Sequence, residues 1–230
     1  MKIQKKCLVL FFVFLVAGAI NPRGARAFIV INEILADPPT GTAGDANGDG
    51  VGSSTQDEFI ELLNFGAGDQ DISGWSLNDA VKTRHVFPTG TTLVSDSYLV
   101  VFGGGSPVLP GVNYQLASTG TLSLNNTAED VFLYNNNGEL IDQVNYGAEG
   151  GKNQSLARYP EGNGSGLVLH STIPPAQGKL FSPGRSLDGQ LTFAASVPEL
   201  PGHWCFVLAG MAVAFRNKFL RKTWSNKNRQ

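Results

Sequence analysis

No stretch between Phe28 and Leu187 keeps a helical period. Short apolar runs recur instead, separated by Gly, Pro and Asn: Phe28–Leu35, Glu58–Leu63, His85–Phe87, Tyr98–Phe102, Val131–Tyr134 and Leu140–Tyr146. Runs this short bury their apolar side by lying next to one another in sheets. The pattern predicts an all-β body, an antiparallel sandwich or barrel. Asn135-Asn136-Asn137-Gly138 predicts a hairpin between the last two runs, because Asn-Gly favours tight turns. In the Glu58–Leu63 run, Ile60 and Leu62 share one face, and Phe59, Glu61 and Leu63 the other. Ile72–Leu77 reads as the next strand, with Ile72, Gly74 and Ser76 on one face and Trp75 and Leu77 on the other. Trp75 is expected to anchor the core, since its ring hides a large area. Asn78–Arg84 reads as a polar connection.

Charge is distributed unevenly. All 19 acidic residues lie between Glu33 and Glu199, and six of the 17 basic residues share that span, a net of −13. The remaining bases sit at the two ends. An acidic body argues against nucleic acid as a partner, because phosphate binding needs clustered Lys and Arg. It favours cations. Both cysteines, Cys7 and Cys205, lie in the terminal segments, so the body has no disulfide or thiol chemistry.

The ends read as delivery labels. Lys2, Lys5 and Lys6, the apolar run Cys7–Ile20 and the exit Ala25-Arg26-Ala27 describe a secretory signal peptide over residues 1–27, cleaved after Ala27. Residues 28–187 form the body and residues 188–201 a linker. In residues 202–230, the apolar run Trp204–Phe215 is followed by six bases and no acid. Hydrophobic helical segments are thus expected to flank the body. The C-terminal run is short of the ~20 residues that span a bilayer; basic residues after it would hold it inside. The competing reading is a C-terminal helix of the body itself.

One loop invites chemistry. Asp45-Ala46-Asn47-Gly48-Asp49-Gly50-Val51 matches the front of a calcium loop. Oxygens of Asp45, Asn47 and Asp49 would converge on one hard cation, with Gly50 at the sharp turn and the Val51 carbonyl adding a ligand. The closing acid expected at the twelfth position is Gln56 here. Asp57 is the first choice in its place, with Gln56 and Glu58 as alternatives. The same residues also build an ordinary solvated loop. Glu33 and Glu61 invite an acid/base reading as a carboxylate pair, but the favoured reading in a strand-rich domain is that each caps or bonds neighbouring backbone. His85 and His170 lack companions at zinc spacing. Ser155 lacks a nucleophile-elbow turn and reads as a strand-start serine.

Ile31-Asn32-Glu33-Ile34, Glu58-Phe59-Ile60-Glu61-Leu62, Gly74-Trp75 and the closing Ser182-Pro183-Gly184 together resemble the lamin-tail domain. Glu58, Phe59, Glu61, Gly74 and Trp75 are its fold-defining positions in this sequence. The resemblance implies an immunoglobulin-like sandwich found in nuclear lamins and in many secreted bacterial proteins; it implies a fold and fixes no function. Val197, Pro198, Glu199 and Pro201, ahead of the apolar and basic tail, resemble the bacterial PEP-CTERM sorting signal, although Leu200 stands where that motif has its second Pro. That resemblance implies an exosortase-like processing protease as a partner.

Together these features predict an exported, non-enzymatic surface or extracellular module. It would be sorted by, or anchored in the bacterial membrane through, its C-terminal segment. Envelope polysaccharide, matrix or another surface protein is the expected partner. The alternative is an accessory or small metal-dependent hydrolase of the envelope, of the kind associated with nucleases and phosphoesterases.

Overall fold

Each apolar run is extended in the structure, a computed structural model that describes residues 28–191. In chain order the strands are β1 (Ile29–Leu35), β2 (Phe59–Asn64), β3 (Gln70–Asp71), β4 (Ser76–Asn78), β5 (Thr83–Val86), β6 (Thr92–Leu93), β7 (Ser97–Phe102), β8 (Tyr114–Leu116), β9 (Glu129–Tyr134), β10 (Leu140–Tyr146), β11 (Leu156–Arg158) and β12 (Leu167–Leu169). One sheet runs β12-β11-β1-β2-β7-β8, a second runs β10-β9-β4-β5, and β3 pairs with β6. All described residues belong to one compact unit. The hydrophobic flanking segments lie outside the described residues.

The two larger sheets face each other across one apolar interior. Ile31, Ile34, Ile60, Leu62, Leu99 and Val101 enter it from the first sheet; Trp75, Leu77, Val131, Leu133 and Val144 enter it from the second or its approach. Fully burying a side chain of this size contributes about 1.5–3 kcal/mol. The outer face of the first sheet is covered too. There Leu35, Phe59, Val100 and Phe102 pack with Leu109, Val112 and Phe181 from the loops. This is why all six residues of β2 are buried: Ile60 and Leu62 fill the interior while Phe59 packs on the opposite face.

The hairpin of β9 and β10 forms as its Asn-Gly turn predicts, with the Gly138 amide donating to the Asn135 carbonyl at 3.0 Å. Three expectations change. The body is not wholly antiparallel: β7 and β8 run parallel, because residues 103–113 carry the chain back to start again beside Val100. Ile72–Leu77 is not one strand. The chain turns there, with the Trp75 amide donating to the Ile72 carbonyl at 3.0 Å, so Ile72, Trp75 and Leu77 all reach the interior. Asn78–Arg84 is not all connection, since Thr83 and Arg84 belong to β5.

A bulge in β1 positions the polar residues. The register with β2 slips between Ile31 and Glu33, leaving Asn32 as the extra residue. Ile29 and Ile31 point inward before the bulge, and Ile34 and Ala36 point inward after it. Without that slip, strict alternation would aim Glu33 into the apolar interior. With it, Glu33 stands directly opposite Glu61.

Candidate functional site

The Thr40–Gln56 loop is ordered by its own carboxylates. Asp57, fully buried, accepts the Asn47 amide at 2.9 Å and the Ser53 amide at 2.7 Å. Asp45 Oδ2 accepts the Gly50 amide at 2.9 Å, and Asn47 Oδ1 the Asp49 amide at 3.0 Å. Asp49 accepts the Val51 amide through Oδ1 and the Ser106 amide through Oδ2, which fastens the loop to the segment after β7. Those donors, Ser106 first, hold the Asp49 carboxyl below its usual range. Burial pushes the Asp57 carboxyl up against its N–H donors, and the charge of Asp45 adds to the push.

The motif residues are therefore gathered around one turn, and Asp57 closes it. Gln56 is exposed, and Glu58 turns to the other side of the strand, where it accepts the Leu124 amide at 3.3 Å. Asp45 Oδ1 is buried and has no hydrogen-bond partner. A carboxylate oxygen that accepts one N–H keeps a second lone pair, so the oxygens of Asp49 and Asp57 retain acceptor capacity for a cation. Val51 is exposed. Among the described residues, no group of three or more His, Cys, Asp or Glu side chains is arranged to hold a metal ion.

Glu33 and Glu61 are buried beneath the chain's closing segment. Glu33 Oε1 accepts the Ser155 hydroxyl at 2.5 Å and the Ser182 amide at 2.9 Å; Oε2 accepts the Ser182 hydroxyl at 2.8 Å. Glu61 Oε1 accepts Asn32 Nδ2 at 3.0 Å and Oε2 the Gly184 amide at 2.7 Å. The carboxylates bond backbone, as one reading of the sequence has it. The Ser182 and Gly184 backbone they bond lies more than 120 residues away along the chain. Gly184 has φ +73°, and a Cβ there would collide with Val112, so the closing turn admits glycine.

Burial, then the charge of Glu33, pushes the Glu61 carboxyl well up. Burial likewise raises Glu161, which accepts the Tyr98 hydroxyl at 3.1 Å and the Leu187 amide at 3.2 Å. His170 is fully buried, with Nδ1 2.8 Å from the Lys179 carbonyl and Nε2 2.9 Å from Ser182 Oγ. The carbonyl accepts only, so Nδ1 carries a proton. The Ser182 hydroxyl lies between Nε2 and Glu33 Oε2, and Glu33 Oε1 is 3.9 Å from Nε2. This arrangement clamps the closing segment. His85 is also structural, with Nε2 2.8 Å from Gln115 and Nδ1 accepting the Ser118 amide.

Sequence reasoning missed Arg158. Its Nε donates to the Ile31 carbonyl at 2.7 Å and its Nη1 to the Gly164 carbonyl at 2.7 Å, while Nη2 reaches both oxygens of Asp142. Asp142 Oδ2 in turn accepts the Ile31 amide at 2.7 Å. The backbone groups beside the β1 bulge are thus satisfied by one ion pair that joins the two sheets.

An open groove of about 730 Å³ lies where the start of β1 meets β3 and the β9–β10 turn. Gln70, Asp71, Ser73 and Asn136 supply polar walls, and Trp75 and Ile141 apolar ones.

Two facing sheets closed by a polar latch define an immunoglobulin-like β-sandwich, a scaffold class whose loops vary independently of its core. A family model described as Lamin Tail Domain matches residues 22–148, and the chain belongs to that family. The match stops before β11, whereas the latch draws on Ser155, Ser182 and Gly184. Among curated proteins, none matches the chain. Val197, Pro198, Glu199 and Pro201 of the sorting motif lie outside the described residues. Among the described residues, no helix is long and apolar enough to cross a membrane.

Proposed function

We propose that the chain is an exported, non-enzymatic envelope module whose sandwich displays a groove for neutral polysaccharide. The groove carries this reading. Its lining sets amide, carboxylate and hydroxyl groups beside apolar surface, as adjacent sugar hydroxyls and C–H faces require. No Lys or Arg lines it, and the Glu33–Glu199 span, of net charge −13, repels polyanions. The deep carboxylates support a scaffold role, because Glu33 and Glu61 spend their oxygens on the chain's own donors.

In the same reading, residues 1–27 direct export. The Val197–Pro201 motif and the tail after it engage an exosortase-like protease or the membrane. Calcium at Asp45, Asn47, Asp49, the Val51 carbonyl and Asp57 stiffens the long loop. Its support is the motif, the buried unpartnered Asp45 Oδ1 and the repulsion between Asp45 and Asp57.

The test is a binding screen of the purified chain against neutral and acidic envelope glycans, with and without calcium. Retention of neutral glycans that Asn136→Ala weakens supports the reading. Binding that Asn136→Ala leaves unchanged, or no glycan binding, overturns it.

A further inference from the structure

Beyond the groove and the glycine-rich loop, one buried cluster has unspent oxygen atoms. Glu129 begins β9 and Tyr146 ends β10, and the two are direct cross-strand partners. Both side chains face the interior, where they are 9% and 8% exposed. Glu58, 4% exposed, precedes β2 in the opposite sheet and points to the same side as Ile60. The segment before β9 closes over them. Its Leu124 amide donates to Glu58 Oε2 at 3.3 Å; its Asn125 side chain donates to Glu129 Oε2 at 2.8 Å.

The Tyr146 hydroxyl is buried and bonds to nothing. Burial raises the phenol, and the charges of Glu129 and Glu58 raise it further. Neither receives its proton. Arg84, a cation that acts on Glu58, is already paired with Asp79. At the end of an apolar interior the phenol oxygen therefore lacks a hydrogen-bond partner, and among the described residues neither acid has an ion pair of its own. A water molecule would supply only the first.

We propose that Glu58, Glu129 and Tyr146 form a buried site for a hard divalent cation of the calcium class. The cation ties both sheets to the Leu124–Asn125 segment. It is separate from the Asp45–Asp57 loop, although Asp57 and Glu58 are consecutive: Asp57 turns into the loop and Glu58 into the sandwich. The proposal is independent of any glycan ligand.

Terbium tests it, because a bound lanthanide in calcium's place emits when a tyrosine beside it is excited. The full chain, stripped with EDTA, is titrated with terbium and, separately, with calcium while thermal unfolding is followed. Terbium emission should appear on tyrosine excitation and be competed by calcium. Tyr146→Phe, which leaves both carboxylates in place, should lose most of that emission and bind calcium several-fold more weakly. Asp45→Asn should leave the emission intact. Glu58→Gln with Glu129→Gln should abolish the part of the calcium-induced rise in melting temperature that survives in Asp45→Asn. Emission unchanged by Tyr146→Phe, loss of the whole calcium effect in Asp45→Asn alone, or no response to either metal would each overturn the proposal, the last leaving water as the occupant.

Discussion

Glu33 and Glu61 stand directly opposite each other on neighbouring strands, and each is buried under the chain's closing segment. Like charges in that arrangement repel. They are tolerated because the amides of Ser182 and Gly184, the hydroxyls of Ser155 and Ser182 and the Asn32 side chain converge on them. The pair turns a distant stretch of chain into a lid over the outer face of the sheet. Glu61→Gln sets a side-chain amide against two N–H donors and leaves one of them unpaired. It should cost about 1–3 kcal/mol in urea unfolding, and proteolysis should release the segment beyond Leu180 first. Unchanged protease resistance there would refute the latch.

The ion pair of Arg158 and Asp142 yields a second expectation. Arg158→Ala removes a buried partner of Asp142 and the donor to the Ile31 carbonyl together. Breaking a buried pair from one side costs about 3–5 kcal/mol. Asp142→Ala leaves the guanidinium without its partner and should cost a comparable amount. Because both act on the same seam, the double variant should fall well short of the sum in a double-mutant cycle. Additive losses would mean that the pair does not hold the sheets together.

Much of this architecture could be read from residue order. Spacing of Gly, Pro and Asn marks the strands, Asn135–Gly138 marks a hairpin, and Trp75 is placed in the core by its size alone. The turn that gathers Asp45, Asn47, Asp49 and Asp57 is legible because its Asp/Asn/Gly pattern is local. What could not be read depends on contacts between remote residues. The bulge at Asn32 leaves no local mark, yet it decides that Glu33 faces the closing segment instead of the interior. Ser182 and Gly184 carry meaning only once Glu33 and Glu61 are known to lie beneath them. Arg158 looks like an ordinary surface base until β11 is placed next to β1. The Ile72–Trp75 turn escapes a two-residue period because a turn can bring both ends of a short run to the same side.

Acid and base should act on stability in opposite directions. Burial, chiefly, pushes Glu58 up to about 7 from an ordinary 4.5. The folded state therefore binds this proton more tightly than the unfolded chain does. Its contribution is fully present below about 4.5 and is lost as pH rises to about 7. Glu61 acts in the same sense. In EDTA the melting temperature should fall across this window, and the fall should be shallower in Glu58→Gln. Asp49 and Asp71, both held below their usual range, work the other way and at lower pH: their contributions are lost as pH drops below about 3.8. A melting temperature that rises from about 4.5 to about 7 in EDTA would contradict the burial of Glu58.

Gly105 connects the long loop to the sheet. It has φ +82°, and a Cβ there would press on Asn47 Nδ2 and lie 2.7 Å from Asp49 Oδ2. Gly105→Ala thus adds backbone strain of about 1–3 kcal/mol and pushes two of the proposed calcium ligands out of place. Adjacent to this contact, the Ser106 amide holds Asp49 Oδ2 and the Asn47 carbonyl accepts the Val108 amide at 2.8 Å. A shift at position 105 would therefore be passed to both. Cleavage within Thr40–Gln56 should accelerate in the variant, and added calcium should protect the loop less than it does in the parent chain. A Cβ at Gly105 presses directly on Asn47 and Asp49, whereas the closing segment meets this region only through residues 109–112, so release of the segment beyond Leu180 should accelerate less than cleavage in the loop. Equal acceleration at both places would mean global destabilisation, whereas cleavage confined to the loop would show that residues 103–106 clamp it.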